Sequence, residues 1–93
     1  MKQFTVDFTG IKTIWYFYEE LIKGLEFPAW CGKNLDAIWD LVTGYLEYPA
    51  IITFKGIKTL PEDLKDEAKS IINIFNEAME FYNDERFKIQ VID

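Results

Sequence analysis

The chain has 93 residues, 49% of them hydrophobic and 17% aromatic, which suits one folded domain spanning residues 1–93 and excludes a disordered chain. Ten basic and sixteen acidic residues give a net charge of −6. That argues against a nucleic-acid binder, which needs a basic face to displace counterions from phosphates, and it suits a cationic partner. No histidine is present, so histidine acid–base chemistry, histidine-activated nucleophiles and histidine metal sites are excluded.

Along the chain, Gln3–Phe8 alternates Phe4, Val6 and Phe8 against Gln3, Thr5 and Asp7, the period of a strand. Gly10 breaks it. Thr13 is positioned to cap a helix in which Ile14, Phe17, Tyr18, Leu21 and Ile22 recur at helical spacing up to Gly24. A connector, Glu26 to Gly32, is punctuated by Pro28 and Gly32. Asn34 then caps a second helix whose stripe is Leu35, Ile38, Trp39 and Val42, ending near Gly44. After Pro49 the run Ala50–Phe54 is nearly all apolar, as expected of a central strand buried on both faces. Lys55–Pro61 has room for one short helical turn. A long amphipathic helix follows from about Glu62 to Asn83, and Phe87–Ile92 alternates as a last strand.

The expected order is therefore β-α-α-β-α-α-β. Strands joined by helical crossovers pair in parallel, so the prediction is an α/β fold: a three-stranded parallel sheet packed with about four helices covering its faces.

The acidic residues are not spread evenly. Glu62, Asp63, Asp66 and Glu67 sit near the positive end of the long helix, where a solvated acidic face is favourable. Glu77 and Glu80 lie beyond the reach of that dipole. In the preceding helix Asp36 and Asp40 are spaced i, i+4, so both carboxylates leave one face, and no Lys or Arg stands three or four residues from Asp40. Trp30, Trp39, Tyr45 and Tyr48 fringe this helix, a composition that suits an interface with a basic partner.

Catalytic readings fit less well. Asp36 and Asp40 share one side of one helix, so they cannot flank a glycosidic bond. There is no calcium loop and no glycine-rich phosphate loop, so no metal, cofactor or small-molecule substrate is expected. Cys31 is the lone cysteine and has no disulfide mate, which suits a reducing cytoplasm. No secretory leader opens the sequence, and no apolar run is long enough for a membrane span. An enzyme is not expected.

The segment Phe27–Pro49, FPAWCGKNLDAIWDLVTGYLEYP, resembles the central segment of the barstar family of intracellular ribonuclease inhibitors. A weaker likeness runs through the whole chain, including Ile74–Ala78 (IFNEA) in the last long helix. The resemblance implies the same sheet with about four helices, and a 1:1 complex in which an acidic helix occludes the active site of a basic ribonuclease or nuclease-type toxin. By position it implies that Asp40 occupies the enzyme's phosphate site, that Asp36 engages basic residues beside it, and that Glu77 contributes an acidic contact. Gly32, Asn34, Trp39, Thr43 and Glu47 fall on or beside interface positions. Trp30 and Cys31 stand where the family has tyrosines, and Tyr45 where it has tryptophan, so the acidic chemistry is kept while the aromatic shape changes. Glu80 falls outside the matched contacts. The alternative reading is an immunity or interaction module for some other cationic protein.

Overall fold

A computed structural model describes residues 1–92. In chain order the elements are β1 (Lys2–Asp7), α1 (Ile14–Gly24), α2 (Leu35–Gly44), β2 (Ala50–Lys55), a 3-10 turn (Ile57–Thr59), α3 (Glu62–Tyr82) and β3 (Phe87–Ile92). There are three α-helices among these residues, not about four: the expected short helix after β2 is a single 3-10 turn. Its neighbours explain its length. Gly56 enters it at a left-handed φ of 76°, and Leu60, preceding Pro61, is forced extended at φ −75°, ψ 148°. A Cβ on Gly56 would also run into Thr9, so this corner needs glycine twice over.

β1 lies one residue earlier than its alternation suggests, although Phe8 continues the ladder by donating its N–H to the Lys55 carbonyl at 2.9 Å. The strands form a parallel sheet in the order β1-β2-β3, with Phe4 beside Ile52 and Ile52 beside Ile89. Two right-handed crossovers that move in the same direction across a sheet place their helices on the same face. Burial agrees. Ala50, Ile52 and Phe54 are buried, while Ile51 and Thr53 are only half-buried, and Gln3, Thr5, Asp7, Lys88 and Gln90 on the same bare face are exposed. The expectations that helices cover both faces and that β2 is buried on both sides are thus corrected.

Under the helices lies an aromatic core. Phe8 stacks on Phe17 with centroids 4.5 Å apart, and Phe75 meets Phe54 and Phe87 edge-on. Each such ring removed from water stabilises the fold by roughly 1.5–3 kcal/mol. The Tyr18 hydroxyl of α1 donates to the Glu67 carboxylate of α3, tying those helices together. Glu67 is therefore part of the internal framework, in contrast to the solvated face expected of it. Burial, then the hydrogen bond and charge of Glu67, push the Tyr18 phenol well above its ordinary pKa.

At the far end of α3 the Arg86 guanidinium lies between the rings of Tyr48 and Tyr82, 4.0 and 3.9 Å from their centroids. It also makes two 2.8 Å bonds to the Asp84 carboxylate. The Tyr82 hydroxyl donates to the Thr43 carbonyl at 3.1 Å, fixing the end of α2 to the end of α3. Tyr48, read from sequence as part of an aromatic fringe, is instead half of this clamp.

Candidate functional site

Helix α2 owes its start to Asn34, whose side-chain oxygen accepts the Ala37 N–H at 2.8 Å. The next residues then present Asp36, Trp39, Asp40 and Thr43 on one side, spaced by three and four. Ile38 and Val42 face the core, whereas Leu35 and Trp39 are half-buried at its margin. The stripe read from sequence is therefore divided: half anchors the helix and half borders a groove.

That groove lies between α2 and α3. Leu35, Asp36 and Trp39 form one wall, and Ser70, Asn73, Ile74 and Glu77 form the other. Glu77 is held in place by the Asn73 amide, which donates to it at 2.8 Å one turn earlier on α3. Asp40 is exposed one turn beyond Asp36 and does not line the groove. Neither Asp36, Asp40 nor Glu77 forms an ion pair among the described residues. The nearest basic residue in sequence, Lys33, is drawn away to α1, with its Nζ 2.9 Å from Glu19 and 4.2 Å from the Trp15 centroid. Three carboxylates on two packed helices thus share one exposed surface with no cation of their own.

Other residues singled out from sequence fall elsewhere. Trp30 is 77% exposed in the connector. Tyr45 and Glu47 line a separate depression with Lys2, Phe4, Leu25, Glu26 and Leu46, and the Tyr45 ring meets Phe27 edge-on at 6.0 Å. Thr43 turns its hydroxyl back to donate to the Trp39 carbonyl at 2.8 Å. Gly32 permits a tight approach, since a Cβ there would come within 3.1 Å of both Ala37 Cβ and Asn34 Nδ2 and crowd the cap. Cys31 is buried, and burial raises its thiol pKa.

Two residues were missed. Phe81 is 71% exposed and meets Trp39 edge-on at 6.2 Å, bordering a shallow hollow with Trp39, Glu77 and Glu80. Glu80, which falls outside the contacts that the resemblance implies, thus adjoins the candidate surface. Asn73 was the other omission. Both lie four residues from Glu77, so the i±4 rule applied to that carboxylate would have found them.

The family model described as "Barstar (barnase inhibitor)" matches residues 1–93. The chain belongs to the barstar family. A protein of Bacillus subtilis (strain 168), named "Putative ribonuclease inhibitor YrdF", is 32% identical to it over 89 residues, covering 96% of this chain and 97% of that one. As a barstar-family α/β protein, the chain presents its unpaired acidic surface from the helical side of the sheet. Among the described residues no helix is long and apolar enough to cross a membrane.

Proposed function

We propose that this chain is a single-domain, non-enzymatic inhibitor of a basic ribonuclease, closing its active site in a 1:1 complex. The observation that carries the reading is the set of carboxylates Asp36, Asp40 and Glu77, carried on two packed helices and forming no ion pair among the described residues. An RNA-cleaving enzyme must present positive charge to its substrate's phosphates, and carboxylates on a rigid helix offer the same charge at fixed spacing. Asp40 takes the phosphate position, Asp36 and Glu77 engage the basic side chains around it, and Trp39 with Phe81 supplies an apolar margin. Asn34 and Gly32 act one step back, by starting α2 where these side chains converge. Tyr45, Glu47 and Trp30 form an outer fringe that touches the enzyme away from its phosphate site. The net charge of −6 accelerates encounter with a cationic enzyme, an effect that salt weakens. A buried lone thiol is compatible with work in a reducing cytoplasm.

The test is inhibition of RNA cleavage by barnase and a panel of basic bacterial ribonucleases, using the wild-type chain and Asp40→Ala. Inhibition by wild type that is lost in the variant supports the reading. Capture of a cationic protein with no nuclease activity, and no inhibition across the panel, would favour an immunity module for another toxin.

A further inference from the structure

A second hollow opens on the other side of Leu35 and Asp36. Ile14 and Tyr18 of α1, Lys33, Leu35, Asp36 and Glu67 border it. Leu35 and Asp36 border both hollows and stand between them, so the hollow on α1 is the immediate neighbour of the groove between α2 and α3. Ile14, which borders this second hollow from the first turn of α1, is 50% exposed, and Trp15, next to it in sequence, is 58% exposed beneath the Lys33 ammonium. Neither side chain serves the core, and a helix start in contact only with water is usually polar.

The charges bordering this hollow are two carboxylates, Asp36 and Glu67, against one ammonium, Lys33. Lys33 is paired with Glu19 at 2.9 Å and lies over the Trp15 ring, which offsets its charge at the hollow's edge. Glu67 accepts the Tyr18 hydroxyl through Oε2, while its Oε1 has no partner among the described residues. Asp36 stands opposite without an ion pair. A cation with a long apolar stem matches such a place. Guanidinium fits better than ammonium, because it is weakly hydrated, lies flat on apolar and aromatic surfaces, and bonds carboxylates with a planar fork.

We infer that the binding surface extends past Asp36 onto the first turns of α1, where it receives an arginine from the rim of the same ribonuclease. This rests on the function proposed above, and it assigns to Ile14 a part in choosing among ribonucleases. An enzyme with a basic active site but no arginine at that rim binds less tightly.

The experiment measures affinity of the full chain for barnase and for the same ribonuclease panel, with Ile14→Lys, Tyr16→Lys and Asp40→Ala beside wild type. Tyr16 is the control: it is 60% exposed in the same turn but does not border the hollow. Ile14→Lys places a like charge against the arginine and is expected to weaken the tightest pair by about tenfold or more, with the Tyr16→Lys change within about twofold. Unchanged unfolding midpoints for both lysine variants keep the comparison clean. Equal losses from the two lysine variants, or no loss from either, overturn the extension, while continued sensitivity to Asp40→Ala leaves the proposed function standing. If no ribonuclease binds the wild-type chain, the proposed function fails and this inference fails with it.

Discussion

Two regions of the molecule are built from the same ingredients and end in opposite states. Between α2 and α3, Trp39 borders Asp36 and Glu77, Phe81 borders Glu77 and Glu80, and no cation pairs with these carboxylates among the described residues. At the end of α3, Tyr48 and Tyr82 stand beside Asp84, and Arg86 fills the space between the rings while pairing with the carboxylate. The second region is complete in itself and serves as a clamp. The first needs an external cation to reach the same state. Aromatic residues near acids thus do not by themselves mark an interface, and the presence or absence of an internal cation separates the two cases.

The contrast can be broken by mutation. The largest effect is expected for Asp40→Ala, which should cost about 2–5 kcal/mol of ribonuclease binding by stranding the enzyme's basic groups, while the free protein changes by no more than about 0.5 kcal/mol. Dissociation kinetics and chemical denaturation of the same sample measure the two halves of that statement. Next is Trp39→Ala. Because the ring is half-buried rather than enclosed, the stability loss should be about 1–3 kcal/mol, read from the urea midpoint.

Arg86→Ala should show the reverse of the Asp40 pattern: a lower denaturation midpoint, with binding reduced only as far as the end of α2 loosens from Tyr82. A binding loss matching that of Asp40→Ala, in a variant that remains folded, would mean that Arg86 belongs to the interface and that the distinction is false.

Acid titration sharpens the point further. Hydrogen bonds from Arg86 hold the Asp84 carboxyl below its ordinary value of 3.8. A depressed folded pKa contributes stability above the unfolded value and loses it as the pH falls through the folded one. Asp84→Asn should therefore flatten the decline in stability below about pH 4, as followed by circular dichroism. The smallest effect belongs to Glu62→Gln, which removes one negative charge about 22 Å along α3 from Glu77. It should slow association slightly and leave dissociation unchanged. A faster dissociation would implicate general acidity rather than the placed carboxylates.

Much of the fold was readable because its signals are local. Thr13 and Asn34 cap the helices they were expected to cap, and α1 and α2 end at Gly24 and Gly44. The covered face of the sheet was harder to read. Ile51 and Thr53 look like core residues in a β-branched run, but their exposure depends on which side both crossovers pass, and that is set by strand order. The arrangement of Asp36 and Asp40 follows from helical spacing alone. Their nearness to Glu77 does not, because it depends on the packing of α2 against α3. Tyr48 and Arg86 are separated by a strand and the whole of α3, so their stacking left no mark in any local pattern.

The uncovered face of the sheet has a practical consequence. Gln3 is exposed there, on the side away from all three helices, and the chain's only cysteine is buried. A Gln3→Cys variant would carry one accessible thiol at the rear of the molecule. Attached to a sensor surface or a fluorophore through that thiol, every copy would present its helical side outward in the same orientation.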